Sequence, residues 1–167
     1  MRLIQNGDEC VYNTGGWQPR AWNTTSTKAG ILPTVTPGEN YVDVRVQVTG
    51  STWVGGVYEV INDIDLTNIS ILHIDFEVPS VKNDGTNNCT SWMGVANRNG
   101  THWNPSASGH ANVAYQSIFS ARTVLARTEK TLDVTSITGS YDIYVGLYIS
   151  TGNPYMTVRI YNIWGEH

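Results

Sequence analysis

Charge is scarce in this chain: Asp, Glu, Lys and Arg make up 14% of its 167 residues, against roughly 25% in an average soluble domain. The ten lysines and arginines are scattered, none forms a run, and the formal net charge is −4. A protein that neutralises several phosphates needs a basic stripe, so no nucleic-acid partner is expected. No stretch approaches the roughly 18 apolar residues of a membrane-spanning helix, so no membrane partner is expected either. Cysteine is almost absent. Cys10 and Cys89 lie far apart with no C-x-x-C spacing and carry no metal signature; free thiols and a disulfide both remain open. His73, His102, His110 and His167 show no H-x-H or H-E-x-x-H spacing, which argues against zinc. There is no G-x-S-x-G elbow. Helical periodicity is nearly missing: the best window, residues 121–130, alternates equally well as a strand.

What the chain has instead is period two. Ile143, Val145, Leu147 and Ile149 would face one side of a strand, and Tyr144, Gly146 and Tyr148 the other. Val42, Val44, Val46 and Val48 alternate in the same way with Tyr41, Asp43, Arg45 and Gln47, and Val158 and Ile160 with Arg159 and Tyr161. Further strands are read at residues 3–4, 53–61, 71–78, 91–96 and 112–119, with a bulge at Gly55-Gly56. Residues 63–68 read as a polar turn, and residues 79–91 and 97–109 as long loops rich in Asn and Gly. Residues 18–40, with Pro19, Pro33 and Pro37, read as a connection holding one or two short strands. The expectation is an all-β, antiparallel two-sheet sandwich of roughly nine or ten strands. It would form a single domain over residues 1–167, long enough to bury a core.

Thr, Ser and Asn supply the missing polarity, as in extracellular and virion β-proteins. Residues 1–8 contain no apolar segment of the secretory-leader kind; the expected location is a virion or the extracellular space. The sequons at Asn23, Asn68, Asn88 and Asn99 are no more than such a composition yields by chance.

Six tryptophans are many for this length. An exposed ring can stack on the C–H face of a pyranose while amides read its hydroxyls. Trp103 is the leading candidate, between His102 and Asn104 with Arg98 and Asn99 close by in sequence; the competing reading is a ring that anchors its own loop. Trp92 and Tyr115 join the candidate ligand set, although Trp92 borders a strand and also suits a core position. Trp164, in the closing strand, is read as core, His73 as a surface strand residue, Trp17 and Trp53 as lining a sheet face, and Tyr155 as a weaker candidate. Asp63 and Asp65 could ligate a structural calcium ion, or simply cap their own turn. No other cofactor is implied.

Asp65-Leu66-Thr67-Asn68-Ile69-Ser70, followed by the strand Ile71-Leu72-His73-Ile74-Asp75, is similar to an element of jelly-roll domains appended to tail proteins of phages and prophages of Gram-positive bacteria. The opening Asn6-Gly7-Asp8-Glu9-Cys10 with Thr14-Gly15-Gly16-Trp17 resembles the start of those domains, and residues 132–141 through 160–164 resemble their ending. The resemblance spans nearly the whole chain in short, scattered elements. It implies a jelly roll, a plan shared with carbohydrate-binding modules. It also implies a non-catalytic receptor-binding role toward a cell-surface glycan, in a particle whose fibres are often trimers. No site residue is carried over, because these domains have no fixed binding motif. Two other classes stay in view: a structural assembly domain whose aromatics bury against a partner chain, and a small polysaccharide-degrading enzyme, which would need two carboxylates about 5–10 Å apart in a groove.

Overall fold

The computed structural model describes residues 1–5, 8–9, 18–23, 34–47, 55–82, 88–97, 112–149 and 155–167; at 8–9, 18–23, 55–60, 62 and 112 the description is of backbone alone. Among these residues there are twelve strands and no helix. They are β1 (Arg2–Gln5), β2 (Asp8–Glu9), β3 (Gln18–Asn23), β4 (Thr34–Pro37), β5 (Val42–Gln47), β6 (Gly55–Asp65), β7 (Ile71–Lys82), β8 (Cys89–Ala96), β9 (Asn112–Ala121), β10 (Leu125–Asp133), β11 (Ser140–Ile149) and β12 (Tyr155–Glu166). All pairings are antiparallel. One sheet has seven strands and runs β4-β5-β12-β7-β10, with β1 pairing along β12 beyond the end of β5 and β2 pairing outside β1; the other has five, in the order β3-β6-β11-β8-β9. Strands β5 to β12 therefore divide as β5-β12-β7-β10 and β6-β11-β8-β9, the eight-strand order of a jelly roll. The strand count exceeds the expected nine or ten because short N-terminal segments pair onto this frame as β2, β3 and β4.

Alternation decides what lies between the sheets. Val42, Val44 and Val46 of β5, Leu72, Ile74, Phe76 and Val78 of β7, and Met156, Val158, Ile160 and Ile163 of β12 meet Met93 and Val95 of β8 and Ile143, Val145, Leu147 and Ile149 of β11. All of them are buried. The long aliphatic contact between the two inner faces supplies the main driving force for the fold, at about 25 cal/mol per Å² of apolar surface removed from water.

Strict alternation fails at bulges, and the register shows where. Tyr161 is an extra residue of β12, since Ile160 and Asn162 pair with the adjacent Phe76 and Asp75. Ile160 and Ile163 can therefore both face inward. The same device lets neighbouring residues Leu3 and Ile4 of β1, and Ile118 and Phe119 of β9, all be buried. Pro79 lies inside β7 where Val78 and Pro79 together oppose one residue of β12, so its missing N–H is tolerated. The expected bulge at Gly55-Gly56 is not found there: both glycines pair regularly with Tyr148 and Ile149. The bulge of β6 lies instead at Asn62 and Asp63, where Asp63 adopts φ 61° and its N–H donates to Oδ1 of the buried Asp142 at 2.9 Å.

One end of the sandwich is closed by the same turn used twice, in Asp65-Leu66-Thr67-Asn68-Ile69 and Asp133-Val134-Thr135-Ser136-Ile137. Each Asp accepts the backbone N–H two residues on, at 2.9 Å; the Thr67 hydroxyl and then its N–H hold the Asp65 carboxyl below its usual range, and the Thr135 N–H and then its hydroxyl do the same for Asp133. Leu66, Ile69, Val134 and Ile137 plug the core beneath. The turns are tied together by Val134 N–H to the Ser70 carbonyl at 2.9 Å and by the N–H of Gly139, at φ 102°, to Thr67 Oγ1 at 3.1 Å. This internal repetition, too short to stand out in the sequence, underlies two of the elements that carried the resemblance.

The outer face of the seven-stranded sheet is covered by cations lying over rings. Arg45 sits 4.3 Å from the Tyr155 centroid, Arg159 3.7 Å from Tyr41, and Arg127 3.7 Å from Tyr161. Arg159 forks onto Asp43 at 2.8 and 3.0 Å and reaches Glu77 at 3.3 Å; Arg127 forks onto Asp75 at 2.9 and 2.7 Å. Arg45 donates to Gln47, Ser80 and Thr157. Trp164 is on this face and not in the core, because the Tyr161 bulge turns it outward; it lies half-buried, stacked on His73 at 4.7 Å and 7°. His73 is correspondingly buried, only 9% exposed, and not a free surface residue: its Nδ1 is 2.7 Å from Glu129 and its Nε2 3.3 Å from Glu166.

Two outcomes follow from this packing. The hydrogen bonds from Arg127, aided by Asn162, outweigh desolvation and hold the Asp75 carboxyl below its usual range. A depressed carboxyl stabilises the fold above its unfolded value, and that contribution disappears as pH falls through the folded value. Arg127→Gln should therefore lower the unfolding free energy by about 1 kcal/mol near neutral pH. The gap should close under acid as Asp75 protonates; urea melts across a pH series measure it, and a gap independent of pH would contradict the pairing. Cys89 is a free, buried thiol on β8 whose burial pushes its pKa up to about 11. Iodoacetamide should label the Cys89 peptide far more slowly in the native protein than after denaturation, as read by peptide mass mapping.

Candidate functional site

Strands β8 and β11 bring two short patterns into register: Trp92-Met93-Gly94 and Tyr144-Val145-Gly146. The strands are antiparallel, so Trp92 pairs with Gly146 and Tyr144 with Gly94. Met93 and Val145 point into the core, which sends all four partners to the outer face of the five-stranded sheet. Each ring lies on the opposite glycine. A Cβ on Gly94 would stand 2.4 Å from the Tyr144 ring, and one on Gly146 would stand 2.5 Å from the Trp92 indole. The glycines are thus required by close approach, and the rings are seated against backbone. Tyr115 of β9 pairs with Gly94 from its other side, so it belongs to the same face and is 51% exposed. Tyr144 is fully buried and Trp92 is 4% exposed. Burial drives the Tyr144 hydroxyl pKa up strongly and also raises that of the half-buried Tyr148. The result is an uncharged floor of two fixed rings with an exposed phenol beside it.

Of the residues singled out in the sequence, Trp92 and Tyr115 come together on this face. Trp92 is buried as a strand-bordering residue can be, but on the outer side of the sheet, over Gly146. Arg98, Asn99, His102, Trp103 and Asn104 lie outside the described residues, as do Trp17, Trp53 and the side chain of Trp22. They are not placed, but the chain joins β8, which ends at Ala96, to β9, which begins at Asn112, through the segment that holds Trp103. Asp63 and Asp65 line a cleft of about 350 Å³ at the capped end with Met1, Asn68 and His167. Asp65 Oδ1 there accepts both the N–H and the hydroxyl of Thr67, at 2.9 and 2.6 Å, the turn-capping role open to it from the sequence. Among the described residues no group of three or more His, Cys, Asp or Glu is placed to hold a metal ion. Tyr155 stands on the opposite sheet beneath Arg45. Tyr144, Gly94 and Gly146 were not singled out for the site. The signal that marks them is aromatic-x-Gly on two strands, which acquires meaning only once the strands are known to pair.

No protein-family profile matches the chain, and no protein of curated function matches it in sequence. Solved structures do match in fold. The family 11 carbohydrate-binding module of Clostridium thermocellum, solved with a β-1,3-1,4-mixed-linked tetrasaccharide, superposes with a TM-score of 0.51 at 15% identity, over 99% of this chain and 98% of that one. A carbohydrate-binding module of the β-sandwich superfamily, described as promiscuous in specificity, gives 0.53 at 13% identity, over 96% of this chain and 63% of that one. The enzymatically active domain of tailspike protein 4 from bacteriophage CBA120 gives 0.48 at 13% identity, over 97% of this chain and 21% of that one, too distant to argue from. At these identities the likeness establishes the β-sandwich fold.

If each glycine is the seat of a ring, adding one methyl must displace that ring. Gly146→Ala should cost about 1–3 kcal/mol of stability. In a Trp92→Leu background the same substitution should cost distinctly less, a coupling that a double-mutant cycle of urea melts reads directly. Equal penalties in both backgrounds would dismiss the seat.

Proposed function

We propose that this chain is a non-catalytic glycan-recognition module whose binding surface is the outer face of the five-stranded sheet. The observation that carries it is the pair of rings seated on Gly94 and Gly146 beside the half-exposed Tyr115. The buried rings hold this face in one shape, and the exposed Tyr115 beside them offers a ring on which a pyranose C–H face stacks and a hydroxyl at its edge. Trp92 and Tyr144 are too buried to be the main contacts, so their part is to position the surface. Two solved structures sharing the fold are carbohydrate-binding modules, which supports the same reading. In this reading Trp103, in the segment that joins β8 to β9, is the second stacking ring, with Arg98, Asn99, His102 and Asn104 as hydrogen-bonding groups.

The finer reading rests on the sequence resemblance: the module belongs to a phage tail or related surface protein, on a virion or outside the cell, and recognises a cell-surface glycan of the host. Weak single sites would gain strength from repeated display, as in a trimer.

A glycan array that includes Gram-positive wall polysaccharides tests this with wild type, Tyr115→Ala and Trp103→Ala, folding being checked by circular dichroism. Each substitution should weaken binding roughly tenfold, the worth of one stacked ring. A folded wild type that binds no glycan would overturn the reading and favour an assembly role, to be followed by its mass in solution.

A further inference from the structure

A second feature lies on the opposite side of the sandwich, where two strands share one edge of β12. Strand β5 pairs with β12 as far as Val42 opposite Ile160, and β1 takes over at Ile4 opposite Ile163. Tyr161 and Asn162 separate the two pairings. A cleft of about 260 Å³ opens at this seam, lined by Arg2, Ile4, Asn162 and Trp164.

The chemistry of those four residues is specific. Ile4 is buried and gives the cleft an apolar wall. Asn162 is fixed, its Nδ2 donating to Asp75 Oδ2 at 3.0 Å. Trp164 stands between His73 of β7 and Arg2 of β1 in the cross-strand row. One face of its indole is closed by the His73 ring at 4.7 Å, whose Nδ1 and Nε2 edges meet Glu129 and Glu166; Arg2 stands on the other side of Trp164 in the row. Arg2 differs from its neighbours on this sheet. Arg127 and Arg159 each lie over a tyrosine with a carboxylate forked onto them, and Arg45 is engaged by Tyr155 and three polar groups. Among the described residues Arg2 has no ion pair, hydrogen bond or ring contact, and it is exposed.

We infer that the β1/β5 seam is a second binding site, which takes one carboxylate-bearing pyranose, a uronic acid unit of an acidic polysaccharide. The guanidinium matches a carboxylate with two parallel hydrogen bonds. The indole receives the C–H face of the ring. The volume lies below the roughly 300–1,000 Å³ of pockets for larger ligands, which limits the site to a single ring. A neutral sugar gains the stacking without the ion pair, so the site selects for charge. It uses none of the groups on the five-stranded face, so it stands or falls independently of the function proposed above.

The test is an NMR titration of the ¹⁵N-labelled full chain with galacturonic acid and, separately, with galactose, which has a neutral CH₂OH in place of the carboxylate. Galacturonic acid should shift the Arg2 Nε–H and Trp164 indole N–H signals, less so as salt is raised, while galactose at the same concentration should shift them far less. Arg2→Ala should weaken binding at least tenfold with an otherwise unchanged spectrum, Arg2→Lys should fall between, and Tyr115→Ala should bind as wild type. Equal shifts with the two sugars, no shift with either, or undiminished binding by Arg2→Ala would overturn the assignment. None of these results depends on whether glycans bind the opposite face.

Discussion

The backbone of β12 is the constraint on which the rest of the structure depends. Its N–H and C=O groups are shared on one side with β7 along nearly its whole length, and on the other with β5 and then β1. A strand flanked on both sides must satisfy every interior polar group through its neighbours, so its register is tightly specified. From that register Met156, Val158, Ile160 and Ile163 enter the core, while Arg159, Tyr161 and Trp164 are set on the outer face. The handover from β5 to β1 creates the seam, and the bulge at Tyr161 turns Trp164 toward it. Core, charged face and cleft thus share one strand.

The two outer faces are opposite in kind. Most of the charge described on the seven-stranded sheet is engaged there by other side chains, with Asp43, Asp75, Glu77, Arg127 and Arg159 forming one connected set of forks and ring contacts. Such a network holds long side chains in place, and a partner would have to displace bonds already made. On the five-stranded sheet the middle of the face is built from Trp92, Gly94, Tyr144 and Gly146, which carry no charge and whose buried rings are laid against backbone, beside the exposed Tyr115. A neutral, flat, pre-ordered surface suits a ligand recognised mainly by its apolar ring faces, because little entropy remains to be lost on binding. Among the described residues the linked ion pairs thus lie on the seven-stranded face, while the middle of the other face is built from uncharged groups.

Much of the fold could be read from the residues. The alternation in residues 42–47 and 143–149 assigned inner and outer positions that the structure reproduces, and the two-sheet sandwich followed from it. What could not be read were the interruptions. Leu3-Ile4 and Ile118-Phe119 are adjacent pairs that period two would send to opposite faces, yet all four residues are buried. Trp164 has the spacing of a core residue and is not one, because an extra residue upstream reverses its side. The candidate site was divided in the same way. Trp92 and Tyr115 could be named from residue type and context, whereas Tyr144 gained its place only when β11 was found beside β8.

The sequence by itself determined the class of the fold, the identity of most core residues and the low, dispersed charge, since each is carried by composition or by a local period of two along a single strand. The tertiary structure alone decided where the bulges fall, which glycine seats which ring, and that Arg2 meets Trp164 at a seam between strands. The reason is physical: a side chain's face is set by its neighbours along the chain, but its partners are set by hydrogen-bond register between strands distant in sequence, and one inserted residue exchanges every face beyond it.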